Sequence, residues 1–380
     1  MKKLIVLSVV FALVAVAAFA VDLGGTVIGT VDLFQGESGT DDASSDITGG
    51  GSMNRIRIDG GGEAGDGKFG GYFRWDGGLS GNAWWKPIDQ LKLMVGSNGG
   101  DGFYGKEGNT GWMFYQTVSD TGVVSPGNCW GGGYGTVVFR DAFFGGDGGG
   151  DALRLEITPM DILGINIQLP YFDGGKAEDI FKKAIAQIDL KLDFGNIALT
   201  YRGGMNDGEH VWEWDPSKIY IYYGGSFGDL ALDFGFCYTL GSKDPEHDDA
   251  AVANPMGVGL GLKFATDAFG VKFRVVATLG GDDKTTMITT DIMPYFSLGD
   301  NITAFVSAGI GMLIPDEGDQ LMGWHFNPYV QIGEEWGAKF LVGVKVYQNT
   351  CGPRSDDDGW DYRENKLMKW SVPIAVVVSF

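Results

Sequence analysis

The last ten residues of the chain, 371–380, read SVPIAVVVSF, and this stretch indicates the class of fold. One set of alternate positions is made entirely of large apolar residues, namely Val372, Ile374, Val376, Val378 and Phe380. The positions between them carry Ser371, Pro373, Ala375, Val377 and Ser379. Because successive side chains of a β-strand point to opposite faces, this pattern gives the strand one apolar face and one mixed face. A strand with lipid on one side and water on the other has this pattern.

The same alternation recurs upstream, in the segments 188–194, 230–236, 256–264, 271–279, 301–312 and 336–347. Its apolar phase often runs for five or six positions, which is longer than an ordinary globular strand of about 5–6 residues needs. Aromatic residues lie at strand ends, as in the girdles of membrane barrels, at Phe194, Phe264, Phe296, Trp336 and Phe380. A soluble β-sandwich also alternates and stays as the alternative fold.

The connections between these strands alternate between short and long. The short turns include 195–196, 228–229, 299–300 and 333–334, and the long loops include 35–51, 98–150, 205–216, 241–254 and 349–365. Pairing the turns backward from Phe380 gives up to 18 strands, starting near 22, 52, 67, 79, 90, 151, 162, 184, 197, 216, 229, 255, 270, 284, 301, 322, 335 and 366. The sequence therefore predicts an all-β fold, a transmembrane antiparallel up-and-down β-barrel of 16–18 strands over residues 21–380.

The first twenty residues, 1–20, have the pattern of a signal peptide. Lys2 and Lys3 precede an apolar run, and the segment 18–20 (AFA) gives the small-x-small pattern of a cleavage site. The alternative is a transmembrane anchor, for which the run is a little short. We expect export by a Sec-type signal and, with the barrel pattern, a location in the bacterial outer membrane.

The composition excludes several classes of function. A net charge of −21 argues against nucleic acid as a partner. Three cysteines make no disulfide framework, and a bond between Cys129 and Cys351 stays open. Motifs for phosphate binding, zinc or a nucleophilic serine are absent, and His210, His247 and His325 are isolated and near predicted loops. We therefore predict no enzymatic activity, no cofactor and no metal site.

Many cationic residues fall in the inward phase of the strands although the chain as a whole is acidic. The early ones are Arg55, Arg57, Arg74 and Lys92, which we expect to form one basic patch on neighbouring strands. Fixed charge in a narrow aqueous pore selects ions by sign, because low-dielectric walls limit screening. In the alternative interpretation, these residues pair with inward carboxylates and only brace the wall.

The terminal strand closed by Phe380, and the hairpin-like segment 83–96, resemble bacterial outer-membrane porins. The resemblance implies that the alternating residues from Val372 to Phe380 are recognised by the barrel-assembly machinery. It also implies a lipid and lipopolysaccharide surface around the barrel, and a homotrimer. By position, the loop 98–150 matches the porin loop that folds into the lumen. There it would face the basic patch with the carboxylates of Asp101, Glu107, Asp120 and Asp141.

The function predicted from these features is passive diffusion of small hydrophilic solutes and ions through a charge-lined pore. One alternative is a substrate-specific uptake channel for sugars or hydrophobic compounds, which an aromatic ladder in the lumen would favour. Candidates for such a ladder are Tyr72, Tyr220, Tyr222, Tyr295 and Tyr347. Another alternative is a surface-structural or adhesive barrel that binds through its acidic outer loops.

Overall fold

The computed structural model describes residues 22–38, 45–46, 50–97, 151–170, 177–203, 217–240, 256–279, 286–314, 320–333, 337–348, 351–356, 359–364 and 368–379. Several predictions fall outside these residues: the signal peptide at 1–20, the aromatic residue Phe380, and the loop 98–150 with Asp101, Glu107, Asp120 and Asp141. The proposed bond between Cys129 and Cys351 also falls outside, because Cys129 is not described and nothing is described of the Cys351 side chain.

Long antiparallel strands form nearly all of the described chain. The first half contains β1 (Asp22–Ser38), β2 (Ser45–Asp46), β3 (Gly50–Ala64), β4 (Phe69–Trp75), β5 (Leu79–Ile88), β6 (Leu91–Ser97), β7 (Asp151–Met160), β8 (Leu163–Pro170), β9 (Ile185–Leu192), β10 (Gly195–Arg202) and β11 (Ser217–Phe227). The second half contains β12 (Leu230–Leu240), β13 (Met256–Ala265), β14 (Phe269–Leu279), β15 (Thr286–Gly299), β16 (Ile302–Ile314), β17 (Leu321–Gly333), β18 (Ala338–Gly343), β19 (Lys345–Gln348), β20 (Cys351–Asp356), β21 (Gly359–Glu364) and β22 (Met368–Ser379). A short helix, α1 (Ala177–Lys182), precedes β9, and no helix among the described residues is long and apolar enough to cross a membrane.

The strands close into a barrel. Each wall strand pairs with the next, and β22 pairs both with β18 and β19 and with β1, where Val27 lies opposite Val378. Two short elements stand apart from the wall, β2 on the end of β1 and the separate hairpin of β20 and β21. Since β18 and β19 form one strand interrupted at Val344, the described wall has 18 strands. This confirms the upper end of the predicted count, and every wall strand begins within three residues of its predicted start.

The alternation in the sequence corresponds to the two faces of the wall. In β22, Val376 and Val378 expose 47% and 39% of their surface on the outer face, whereas Ala375 and Val377 expose 0% and 4% on the inner face. Residues paired across neighbouring strands lie on the same face. Following the pairings from β22 around the barrel therefore assigns every wall residue to the outer or the inner face. Among the wall positions whose side chains are described, the outer face carries no Asp, Glu, Lys or Arg.

The two ends of the barrel differ in their connections. At the end called the turn end, consecutive strands are joined by turns of two to four residues, at 65–68, 89–90, 161–162, 193–194, 228–229, 266–268 and 300–301. Gly228 and Asn301 have φ angles of 60° and 61° there, the left-handed conformation that tight hairpin turns require. The start of β1 and the end of β22 lie at this end, and the segment 98–150 connects strands at the opposite, loop end.

Aromatic rings surround the outer face near the turn end. Phe69 stacks on Trp85 with ring centroids 6.5 Å apart, and Phe269 lies 5.1 Å from Phe296. Phe194, Phe264 and Phe296, which the sequence analysis assigned to strand ends, are all exposed at this level, whereas Trp336 and Phe380 lie outside the described residues. Such a ring of amphipathic and aromatic side chains is typical of the boundary between a bilayer and water.

Candidate functional site on the lumen wall

Two arginines on β3 and β4 share one carboxylate on the inner face. Arg57 Nε donates to Asp59 Oδ2 at 2.5 Å, and Arg74 Nε donates to Asp59 Oδ1 at 2.8 Å. The Tyr72 hydroxyl also donates to Asp59 Oδ1. These groups meet because cross-strand pairing puts Asp59 opposite Arg74, while Arg57 lies two residues from Asp59 on the same face. The carboxylate of Asp59 therefore pairs with two guanidinium groups.

The same arrangement occurs again on β6 and β7. Lys92 Nζ lies 3.6 Å from Glu156 Oε2, and Arg154 Nη2 lies 3.0 Å from Glu156 Oε1. Here too the register brings the groups together, since Lys92 is paired with Glu156 across the strands. The chain segments that meet are separated in sequence by the whole of the segment 98–150.

Between these two groups lies an inward-facing tryptophan on β5. The Nζ atoms of Lys86 and Lys92 lie 4.8 and 5.0 Å from the ring centroid of Trp84, within range of a cation–π interaction. The indole lies over Gly70 of β4, where an added Cβ would come within 2.2 Å of the ring. Gly70 thus provides the space in which Trp84 lies flat along the wall.

We call this inner surface of β3–β7 the basic wall, defined by Arg57, Asp59, Arg74, Trp84, Lys86, Lys92, Arg154 and Glu156. Three of the predicted patch residues belong to it: Arg57, Arg74 and Lys92. Arg55 is paired with Ile28 in β1, and its side chain is not described. The carboxylates predicted to face the patch from the loop lie outside the described residues. The structure also contains ion pairs of the kind expected if these residues only brace the wall. In each of them, one carboxylate contacts two cations.

A second charged group, which we call the buried cluster, lies on the inner face of β14–β17. Arg274 donates to Asp291 Oδ2 from Nε at 3.0 Å and from Nη2 at 2.5 Å. His325 Nε2 lies 3.7 Å from Asp291 Oδ1 and 3.3 Å from Ser307 Oγ. The side chains of Arg274 and Asp291 expose only 3% and 0% of their surface. The interpretation of His325 as an isolated residue near a loop is wrong, because β17 carries it into this cluster.

The arrangement of the buried cluster differs from a catalytic triad. In such a triad the serine and the carboxylate contact opposite nitrogens of the imidazole. Here Ser307 and Asp291 both approach Nε2 of His325. Asp291 thus does not occupy the position of a triad carboxylate, which contacts the nitrogen opposite the serine. Among the described residues, no group of three or more His, Cys, Asp or Glu side chains has the arrangement of a metal site.

Beside the buried cluster, three inner-face rings form a row across β15, β16 and β17, called the aromatic row. Tyr295 and Phe305 have centroids 5.5 Å apart, and Phe305 and Tyr329 have centroids 4.6 Å apart with only 2° between their planes. Phe305 packs against a buried group that includes Met293, Tyr329 and Leu341. Tyr329 exposes only 3% of its surface, whereas Tyr295 is half-buried and lies 5.7 Å from the ammonium of Lys272.

The other tyrosines proposed for an aromatic ladder are scattered. Tyr72 belongs to the hydrogen bonds at Asp59, and Tyr222 donates to Asp233 Oδ1 at 2.9 Å while exposing 3% of its surface. Tyr220 is buried, and Tyr347 lies beneath the ammonium of Lys345 at 5.3 Å. Of the five candidates, only Tyr295 belongs to a row of stacked rings among the described residues.

Sequence reasoning missed the two members of the basic wall that lie next to a proline. Lys86 and Trp84 precede Pro87, where the pairing of β5 with β6 shifts register between Trp85 and Ile88. This bulge breaks the period of two, so the pattern no longer showed which side chains face inward. The run Ser80, Asn82, Trp84 and Lys86 carried a usable signal, since its first two members are polar.

Comparison with known proteins supports the fold and no narrower grouping. No family model and no curated protein matches the chain. Among solved structures, OmpF from Salmonella typhi in complex with daunomycin is 11% identical, with a TM-score of 0.53 over 95% of this chain and 98% of its own. The anion-selective porin from Comamonas acidovorans is 11% identical, with a TM-score of 0.50 over 95% and 99%. OccK1 (OpdK) from Pseudomonas aeruginosa is 8% identical, with a TM-score of 0.50 over 94% and 99%.

These structural neighbours are porins, and the chain has a porin-like barrel fold. At sequence identities of 8–13%, these similarities show the fold and not the function.

Proposed function

We propose that the chain is an outer-membrane porin, a passive diffusion channel for small hydrophilic solutes and ions through a charge-lined lumen. The observation that supports this most is the division of the wall into two faces. Every described outer-face position lacks a charged side chain, whereas the inner face carries the charges of the basic wall and the buried cluster. Charge facing hydrocarbon costs several kcal/mol, about 2–4 for a basic residue at the midplane of a barrel. The division therefore suits lipid outside and water inside.

The closed wall supports the same proposal. Backbone groups in hydrocarbon need partners within the protein, and a barrel without strand edges supplies them. In this proposal the turn end faces the periplasm and the loop end faces outward toward a lipopolysaccharide-like surface. Export would use the signal peptide at 1–20, and the assembly machinery would recognise the last strand through Val372, Ile374, Val376, Val378 and Phe380. A homotrimer is the assembly state we propose.

The basic wall is proposed to act on passing solutes together with Arg55 and the loop carboxylates of Asp101, Glu107, Asp120 and Asp141. Opposed charges across a narrow pore produce a transverse field that orients polar molecules. The half-exposed guanidiniums of Arg57 and Arg74 fit this role, since their side chains expose 29% of their surface.

The aromatic row favours general diffusion over a sugar-specific channel. A ring that guides sugars must present its face to the lumen. In the aromatic row, Phe305 and Tyr329 lie face to face at 4.6 Å, and Tyr329 is buried. The faces between them are already occupied. The proposal involves no chemical reaction, cofactor or metal ion.

A pair of neighbouring cysteine variants tests whether the lumen conducts. Asn82 is half-buried on the inner face of β5, and Ala83 is exposed on the outer face. In a background with the three native cysteines replaced by serine, we would record single-channel currents of Asn82→Cys and Ala83→Cys in planar bilayers. A charged, membrane-impermeant thiol reagent should reduce the current of Asn82→Cys and leave that of Ala83→Cys unchanged.

Absence of any conductance above that of protein-free detergent would overturn the porin proposal and favour a structural or adhesive barrel. Block through Ala83→Cys with none through Asn82→Cys would contradict the assignment of the two faces.

A further inference from the structure

We infer that the channel prefers anions, so that its solutes are small molecules with carboxylate, phosphate or similar negative groups. This inference rests on the proposed function and adds the sign of the solute. The support for it comes from the charges on the inner face of the wall. The net negative charge of the whole chain would by itself favour cations.

The inner face has about twice as many cations as anions. Counting strand residues that are buried or half-buried there, thirteen are basic: Arg57, Arg74, Lys86, Lys92, Arg154, Arg202, Lys218, Lys263, Lys272, Arg274, Lys339, Lys345 and Lys369. By the same criterion, six are acidic: Asp32, Asp59, Glu156, Asp189, Asp233 and Asp291. By this criterion there are seven more positive than negative charges, and the excess is six when the exposed inner-face residues Asp22, Glu63 and Lys191 are included.

In the basic wall, the contacts of the charged side chains show how the excess of cations arises. Asp59 serves both Arg57 and Arg74, and Glu156 serves both Lys92 and Arg154. Each group therefore has two cations and one carboxylate among the contacts described.

Lys86 adds a further positive charge to the basic wall. No carboxylate of the described chain lies within 4.0 Å of its ammonium, which lies against the ring of Trp84. A neutral ring holds the ammonium in place and leaves its charge available to an ion in the lumen. The described members of the basic wall thus comprise five cations and two carboxylates.

The acidity of the chain has little bearing on this preference. The whole chain contains 49 acidic residues, of which only six meet the criterion for the described lumen wall. Charges separated by more than about 8–10 Å of salt solution are largely screened at 0.1–0.15 M. An ion inside the pore responds mainly to the charges that line it, because the low-dielectric wall concentrates their field there. The expected chloride-to-potassium permeability ratio is on the order of several-fold.

The test is the reversal potential of the full-length refolded protein in a planar bilayer, measured across a potassium chloride gradient. We expect its sign to report anion preference. Lys86→Glu should lower the chloride-to-potassium permeability ratio by at least about twofold, because it replaces an uncompensated positive charge by a negative one. Glu156→Gln should raise the ratio, because Lys92 and Arg154 lose the carboxylate they share.

Lys182→Glu is the matched control. Lys182 is exposed in helix α1, which connects β8 and β9 and is not part of the wall, and the substitution makes the same change of charge as Lys86→Glu. The ratio should be the same for Lys182→Glu as for the parent protein.

The outcomes separate this inference from the proposed function. A protein without conductance overturns both. A conducting protein with cation preference or with no preference overturns the inference alone. Equal shifts for Lys86→Glu and Lys182→Glu would also overturn it, since a general effect of net charge would then account for the selectivity.

Discussion

The basic wall on β3–β7 and the buried cluster on β14–β17 both pair arginine with aspartate, but in different surroundings. The side chains of Arg74 and Asp59 expose 29% and 22% of their surface, and the aspartate is shared with Arg57. The side chains of Arg274 and Asp291 expose 3% and 0%, and two hydrogen bonds from one guanidinium reach the same carboxylate oxygen. The first group is partly exposed on the inner face, and the second is enclosed by its neighbours.

This difference determines which property each group controls. Exposed ion pairs contribute about 0–1 kcal/mol to stability, because water already solvates both charges. Removing one partner of a buried pair costs about 3–5 kcal/mol, because the remaining charge stays desolvated. We therefore expect the buried cluster to control stability and the basic wall to control the ions that pass.

Asp291→Asn should have the largest effect on stability. It keeps the shape of the side chain and removes the negative charge opposite Arg274. We expect the free energy of unfolding to fall by about 3–5 kcal/mol. Urea unfolding of the barrel refolded into lipid vesicles measures it. Asp59→Asn is the matched variant in the basic wall, and equal losses in the two proteins would contradict the contrast drawn between the two regions.

Phe305→Leu should have an intermediate effect, through the aromatic row that lies beside the buried cluster. The substitution removes two ring contacts, to Tyr295 at 5.5 Å and to Tyr329 at 4.6 Å. At about 0.5–1.5 kcal/mol for each aromatic pair, we expect a loss of about 1–3 kcal/mol. The reversal potential should not change, because no charge is altered. Phe340→Leu, on the exposed outer face, is the control; a loss as large as that of Phe305→Leu would show that the stacking contributes nothing specific.

Asp59→Asn should have the smallest effect on stability, below about 1 kcal/mol. Its effect on selectivity should be clear, because Arg57 and Arg74 lose their shared carboxylate. We expect the reversal potential to shift further toward anions, in the same direction as for Glu156→Gln. A marked loss of stability with an unchanged reversal potential would mean that Asp59 only braces the wall.

Much of the fold could be predicted because a strand in a bilayer obeys a local rule. Each residue must suit lipid or water according to its parity, so the segment 371–380 and its upstream counterparts could be assigned to faces without knowing their neighbours. The eighteen wall strands begin close to their predicted positions for this reason. Trp84 and Lys86 were missed although they keep the alternation of Ser80 and Asn82, because the register shifts beside Pro87.

The site was less predictable because its contacts cross between strands. Arg57 and Asp59 are two residues apart in one strand, and their shared face follows from the sequence. His325 appeared isolated because its partners, Ser307 and Asp291, lie on β16 and β15.

The sequence by itself determined which residues lie on the outer face and which on the inner face, and hence that the inner face is rich in cations. Only the tertiary structure decided how those cations are compensated. Lys92 reaches Glu156 across a connection of more than fifty residues, and Arg274 reaches Asp291 in a cluster whose side chains are buried. Register and burial arise when the whole wall closes, and they determine whether a charge is neutralised or left to act on a passing ion.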